Sequence, residues 1–284
     1  MLTGTGSSDV FTSDDDPELV AEAIPFAMKL YETLLSQNPR HQGLLLTTGS
    51  LFVMYANAFV QTPAQLTGTF QGETVQRAKR LYLRGADMLL RGLEERHKGF
   101  ETAYHERNID SYGSAFKKAD VPFIYWFVAG TMSAYSLDPF DLTLGIQLPM
   151  LKSLIDKAYL LEPDYNNGAI DDFYVLFYAS LPVEMGGDRS VVQGYFQKAV
   201  EKSKGLSAGP YVSYAEAVCI PAQDYENFKI HLEKALAIEP DNDPQNRLIN
   251  VINQRKARYL LDNAPYYFFE LDPGTWEEWE EDLL

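Results

Sequence analysis

Apolar residues recur along much of the chain with the spacing of one face of an α-helix. Four segments share an i, i+4, i+7 pattern of large and small apolar side chains: Ala27/Tyr31/Leu34, Leu151/Ile155/Ala158, Val192/Phe196/Ala199 and Phe228/Leu232/Ala235. This period predicts helices that bury the patterned face. Three of the segments are followed by a helix-stopping proline, at Pro39, Pro163 and Pro240. A recurring helix end predicts an array of helical repeats.

A second type of helix precedes the first, with a bulky residue followed three and four positions later by small ones. The clearest examples are Leu45-x-x-Thr48-Gly49 and Trp126-x-x-Ala129-Gly130. Glycine inside a helix costs about 1 kcal/mol relative to alanine, so Gly49 and Gly130 predict that another helix passes close by. The interval from Ala199 to Ala235 is 36 residues, near the ~34 of a tetratricopeptide unit.

These patterns predict an all-α fold, a degenerate tetratricopeptide-like helical-repeat solenoid over residues 17–262. Residues 1–16 are rich in Ser, Gly and Asp and are expected to form a flexible tether. Asp16 and Pro17 then supply a capping side chain and a first helical residue. Residues 263–284 form an aromatic, acidic C-terminal extension that either folds back over the solenoid or joins an interface.

Charge excludes several classes of partner. The 284-residue chain has 24 basic and 40 acidic residues and a formal charge of −16, which argues against nucleic acid and against a polybasic membrane patch. No apolar run approaches the ~18 residues that span a bilayer. Residues 1–8 lack the features of a signal peptide. The protein is therefore cytoplasmic, or its targeting segment has been removed.

Candidate chemistry is sparse. Cys219 lies among apolar residues and is interpreted as a buried hydrophobe rather than a nucleophile. Residues 164–172 are rich in Asp and Asn but lack calcium-loop spacing, and they are interpreted as a turn followed by a helix start at Asp171 or Asp172. Nucleophile-elbow, phosphate-loop, dinucleotide and zinc-protease motifs are absent from the sequence. We expect no enzyme activity, cofactor or metal.

Inner helices of such a solenoid line a concave groove, and here the predicted groove positions are apolar or hydroxylated. The candidate ligand-binding residues are Leu46, Phe127, Thr131 and Leu176. An uncharged groove suits a small hydrophobic ligand or a segment of the chain itself. The alternative is that these side chains simply pack against an adjacent helix.

Two long connections, residues 61–71 and 137–149, interrupt the repeats and are more apolar than solvated loops. Apolar side chains on such insertions, together with the tryptophans of the extension, predict contact with a partner or another subunit. The candidate interface residues are Leu66, Phe70, Phe140, Leu144, Ile146, Trp276 and Trp279.

Acidic helical repeats, the Trp126/Gly130 pair, long insertions and an aromatic acidic C-terminus together resemble a known family. It is the tetratricopeptide-repeat T component associated with tripartite ATP-independent periplasmic (TRAP) transporters, of the spirochaete type. The resemblance implies a homotrimeric periplasmic protein that docks the solute-binding P component. It also implies membrane attachment through an N-terminal lipid, although the lipid-bearing cysteine is absent from this chain.

The function expected on this basis is non-enzymatic. The protein would dock the P component and bind or pass on a small hydrophobic or organic-acid ligand. The alternative is a generic periplasmic or outer-membrane assembly scaffold without ligand binding.

Overall fold

The computed structural model describes residues 10–109 and 112–271, and within these ranges the chain forms helices and no strand. Two compact units divide at Ile170/Asp171. The main helices of the first unit are α1 (Pro17–Gln37), α2 (Gln42–Leu66), α3 (Glu73–Arg96), α4 (Phe100–His105), α5 (Val121–Ser136), α6 (Leu142–Gly145) and α7 (Leu148–Leu161). The all-α prediction is confirmed.

The second unit begins inside α8 (Ala169–Ser180) and continues through further helices. These are α9 (Arg189–Lys202), α10 (residues 209–222), α11 (Tyr225–Leu236) and α12 (Arg247–Asp262). Its core is formed by Phe228, Leu232 and Ala235 of α11 together with residues of α10 and α12. The stripes that the sequence predicted on α7, α9 and α11 are buried faces.

The start of α1 forms as predicted. The Asp16 side chain accepts a hydrogen bond from the Leu19 amide, and Pro17 occupies the first turn, where a missing N–H costs nothing. Val20, Ile24 and Tyr31 are buried on one face of this helix, while Leu19 is exposed. α1 therefore packs through a single stripe and leaves other apolar side chains in contact with solvent.

Helices α2, α3 and α5 pack so closely at three glycines that a Cβ atom on any of these residues would clash with a neighbouring helix. A Cβ atom placed on Gly85 of α3 would lie 2.6 Å from the Gly49 carbonyl oxygen of α2. A Cβ atom on Gly130 of α5 would lie 2.8 Å from Cγ2 of Val53 and 3.3 Å from the Tyr82 carbonyl oxygen. The close approach predicted for Gly49 and Gly130 is confirmed, and Gly85 is the partner that sequence reasoning missed.

The expected long connection over residues 61–71 is wrong in its first half, because α2 continues to Leu66. Its residues 56–61 form a π-helical segment in which the Thr62 amide donates to the Asn57 carbonyl, five residues back. Pro63 follows directly, and its ring would clash with the carbonyl four residues earlier in a regular helix. The wider π turn accommodates the proline without ending the helix.

A second π segment, Ala215–Cys219 in α10, has the same arrangement. The Ile220 amide donates to the Ala215 carbonyl, and Pro221 comes next. In the described residues, a π segment therefore precedes both Pro63 and Pro221, and the second helix ends one residue after its proline, at Ala222.

The continuous helix Gln42–Leu66 is long and apolar enough to cross a membrane by length and composition alone. Hydroxyl and amide residues interrupt its apolar run, so the sequence alone did not predict a helix of this length. Of its most apolar window, 61% is buried inside the protein, as in the core helix of a soluble protein.

Substitution of Gly85 by alanine tests the close helix contact. The added Cβ would collide with the Gly49 carbonyl and with Val53, so we expect the free energy of unfolding to fall by about 1–3 kcal/mol. Gly194 of α9 is the matched control, because a Cβ there meets nothing within 4 Å. Gly194→Ala should stabilise the protein by up to about 1 kcal/mol. Urea unfolding monitored by circular dichroism measures both changes, and equal effects would contradict the contact.

Candidate functional site

The candidate interface residues of the second connection lie around α6 and differ in exposure. Phe140 is 92% exposed and Ile146 is 47% exposed, whereas Leu144 is buried at 5%. Leu144 therefore anchors the segment and the other two face solvent. Leu66 and Phe70 are half-buried. Trp276 and Trp279 lie outside the described residues.

A partly buried lysine holds this segment in place. Lys79 Nζ of α3 donates to Asp138 Oδ2 at 2.7 Å and to Asp141 Oδ2 at 2.8 Å. These hydrogen bonds raise the pKa of Lys79, and the lysine lowers the pKa of Asp141. Sequence reasoning missed this contact because the lysine and the aspartates are about 60 residues apart.

The candidate ligand-binding residues occupy different environments. Phe127 and Thr131 are buried at 3%, and the Thr131 hydroxyl donates to the Phe127 carbonyl at 2.9 Å. The Phe127 ring packs edge-on against Tyr104, with centroids 5.1 Å apart. Leu46 is half-buried in the same unit. Leu176 belongs to the second unit and is 42% exposed.

An apolar pocket of about 100 Å³ lies in the second unit, between α8, α9 and α10. Small aliphatic side chains form its wall, and the exposed Arg189 contributes the one charged group of the lining: Ala179, Arg189, Val192, Ala217, Val218 and Ala222. Leu176 precedes Ala179 by three residues on the same helix and is therefore its neighbour. The pocket suits a short apolar group, with a guanidinium available to a carboxylate.

The first π segment borders a partly buried tyrosine network. The Tyr82 hydroxyl donates to Gln61 Oε1 at 2.7 Å, and it also hydrogen-bonds with Asn57 and Ser133. Burial raises the pKa of Tyr82 to about 12, so the phenol stays protonated at neutral pH. π segments often occur at functional sites, but nothing in the sequence apart from Pro63 marked this one.

α8 begins at Ala169, two residues before the earlier of the two predicted starts, Asp171 and Asp172, so both aspartates lie within its first turn. Asp171 is fully buried and pairs with Lys202 Nζ at 2.7 Å. Asp172 hydrogen-bonds with Ser213, while its Oδ1 atom is buried without a hydrogen-bond partner in the described structure. Desolvation raises the pKa of Asp172 to about 6. The adjacent Asp171 adds to the rise and Lys256 opposes it.

Cys219, the remaining candidate for reactive chemistry, has a structural role. Cys219 is 1% exposed, and burial raises the pKa of its thiol to about 12, so it packs as the predicted small hydrophobe. In the described ranges, no group of three or more His, Cys, Asp and Glu side chains is arranged to hold a metal ion.

Exposed apolar side chains and a small apolar pocket are both features that binding surfaces use. The TRAP transporter T-component family model matches residues 13–268, and the chain belongs to this family. It is also 35% identical over 268 residues to a protein of Treponema pallidum (strain Nichols) described as uncharacterized. That alignment covers 92% of this chain and 83% of the relative. The family has an accessory role in TRAP transport and is associated with a periplasmic transport system.

Asp172 makes the stability of the folded protein depend on pH, and its raised pKa defines the direction of that dependence. Its raised pKa means that the ionised carboxyl destabilises the folded state above about pH 6, and that this cost disappears as the pH falls. We expect Asp172→Asn to increase the free energy of unfolding by about 1–3 kcal/mol at pH 7.5. The increase should be smaller at pH 4.5. Urea unfolding at both pH values measures the difference.

Asp188 is the control for this comparison. Hydrogen bonds from the Ser190 hydroxyl and amide lower the pKa of this exposed carboxyl, so its contribution to stability is lost as the pH falls. Asp188→Asn should therefore not stabilise the protein at pH 7.5. A stabilisation by Asp172→Asn that is independent of pH would show that desolvation of the charge is not the cause.

Proposed function

We propose that the protein is a non-enzymatic accessory component that docks the solute-binding P component of a TRAP transporter. In the same proposal it binds a small hydrophobic or organic-acid ligand, or passes such a ligand on. The observation that carries the proposal is the family match over residues 13–268, which covers most of both compact units. Exposed apolar side chains at Phe140 and Ile146 support a docking role.

The fold proposed for this function is a tetratricopeptide-like solenoid over residues 17–262. Buried apolar stripes on α7, α9 and α11 support repeated helix packing. Residues 1–16 are the proposed tether and residues 263–284 the proposed C-terminal extension. The start of that extension packs back on the second unit, because Phe268 is 1% exposed and its ring lies 4.8 Å from that of Phe228.

We propose that the protein acts as a homotrimer in the periplasm, attached through an N-terminal lipid in the native precursor. Exposed apolar side chains on α1 support self-association. Leu19 is 57% exposed, Phe26 is 75% exposed and Leu30 is 38% exposed, and their spacing places them on one outward face. The interface candidates Leu66, Phe70, Trp276 and Trp279 belong to the same proposal.

The ligand-binding proposal combines the predicted residues with the pocket of the second unit. Leu46, Phe127, Thr131 and Leu176 remain the candidates from sequence. Of these, Leu176 is the neighbour of Ala179 in the pocket wall. Because Phe127 is buried, its replacement by a charged residue would disrupt the core, so the pocket residues provide the better test.

Sedimentation velocity of the purified protein, alone and mixed with the P component, tests docking and assembly together. We expect a trimer for the protein alone at micromolar concentration. The trimer should shift to a faster species when the P component is added. A trimer whose sedimentation does not change when the P component is added would favour the generic assembly scaffold. A strictly monomeric protein would contradict the proposed homotrimer.

Butyrate is a suitable probe of the pocket, because it combines a short apolar chain with a carboxylate. We expect Ala217→Leu to fill the pocket and to weaken butyrate binding at least 10-fold in calorimetric titrations. Arg189→Met should weaken binding of butyrate more than that of 1-butanol, since only butyrate pairs with the guanidinium. Ala237→Leu, at an exposed position on the surface, is the control. Failure of the native protein to bind either probe would contradict the pocket assignment.

A further inference from the structure

The last described residues of the second unit are anchored beside its apolar pocket. Gln223 directly follows Ala222, which lines the pocket. Gln223 Nε2 donates to the Tyr267 carbonyl at 2.9 Å, and the Phe269 amide donates to Gln223 Oε1 at 3.1 Å. One side chain next to the pocket wall therefore binds the backbone shortly before residue 272.

Apolar packing reinforces this anchor. Phe268 is 1% exposed, and its ring lies 5.4 Å from that of Tyr225, the first residue of α11. Leu271 is half-buried and packs against the same core of the second unit. The chain therefore reaches Leu271 at a position that both burial and hydrogen bonds define.

The sequence that follows Leu271 combines apolar and acidic residues at helical spacing. Trp276, Trp279 and Leu283 are spaced i, i+3, i+7, which is typical of one face of a helix. Thr275 and Glu278 have the spacing of a capping box, which predicts a helix start at this point. The other positions are mainly acidic: Glu277, Glu278, Glu280, Glu281 and Asp282.

The pocket complements this segment in polarity and in charge. Its volume is about 100 Å³, and its lining is aliphatic except for the exposed guanidinium of Arg189. Burial of a large apolar side chain contributes about 1.5–3 kcal/mol, and a guanidinium pairs readily with carboxylates. The net charge of the chain is −16, so an acidic segment is repelled by most of its surface and attracted to a cationic position.

We propose that residues 272–284 dock at the pocket of their own chain. Trp276 is the anchor that enters the apolar wall, and the glutamates that follow it pair with Arg189. The docked segment then competes with a small ligand for the same site. This inference rests on the proposed function, in which the pocket binds such a ligand.

The length of the connection favours this chain over a second copy as the source of the segment. Five residues lead from Leu271 to Trp276 and span at most about 17 Å. A short connection gives an effective concentration on the order of millimolar, which a separate copy at micromolar concentration does not reach. The two tryptophans then contact their own chain, which is the fold-back alternative for the extension, and not another subunit.

Cross-linking of the full chain tests the docked position. We expect Ala222→Cys/Glu277→Cys to form an intramolecular cross-link with a short bis-maleimide, detected by mass spectrometry. Cys219 is 1% exposed and should not react. The matched control is Ala237→Cys/Glu277→Cys, because Ala237 is exposed and lies about 18 Å from Tyr225 along the axis of α11. Its yield should be lower by about 10-fold.

Occupation of the pocket should reduce cross-linking of the Ala222→Cys/Glu277→Cys variant. Saturating butyrate should lower the yield, and so should Ala217→Leu, which fills the pocket. Conversely, Trp276→Ser/Trp279→Ser should tighten butyrate binding about 3-fold or more, since the segment no longer occupies a fraction of the pockets. Tyr266→Ser removes an 85% exposed ring just before the anchor and should leave the affinity unchanged. Circular dichroism establishes that each variant is folded.

The outcomes separate this inference from the proposed ligand function. Equal yields in the two cysteine pairs, or a cross-link that joins two copies and grows with protein concentration, would overturn docking within one chain. Normal butyrate binding without the expected cross-link would overturn the inference and leave the ligand function intact. A specific intramolecular cross-link without butyrate binding would support the docked segment and overturn the ligand function instead.

Discussion

The first unit depends on the contact of three helices at backbone distance. Gly49, Gly85 and Gly130 leave no room for side chains where α2, α3 and α5 meet. Such a contact fixes the rotation of each helix, because turning any one of them would bring a Cβ atom into the crossing. The fixed rotation of α3 directs Lys79 to the turn after α5, where its ammonium group binds Asp138 and Asp141.

The second unit is organised differently, around apolar stripes with polar groups drawn into the packing. Asn250 is fully buried, accepts a hydrogen bond from the Ala208 amide and donates one to the Leu206 carbonyl. It therefore supplies hydrogen-bond partners for the backbone that precedes α10. Asp172 has no such complete set of partners and retains a destabilising charge at neutral pH. Buried polar groups that are only partly satisfied are uncommon in cores that serve stability alone.

The proposed function assigns the role of this family member to its surfaces. The T-component family supplies the accessory role in TRAP transport. The structure contributes the features that a binding protein needs, namely a rigid turn with exposed apolar side chains and a small apolar pocket beside Arg189. The turn belongs to the first unit and the pocket to the second, so separate substitutions can alter the two features.

The sequence by itself determined the helical class, the cap at Asp16, the buried stripes and the close approach at Gly49 and Gly130. These features depend on the spacing of apolar residues, on backbone sterics and on the positions of glycine, proline and capping residues. All of these can be read from a single sequence. Tertiary structure decided the rest. The sequence predicted a connection from residue 61, but α2 continues to Leu66 through an internal π segment, because the flanking helix is held by packing. The contact of Lys79 with Asp138 and Asp141 joins residues about 60 positions apart, and no local pattern encodes such a pair.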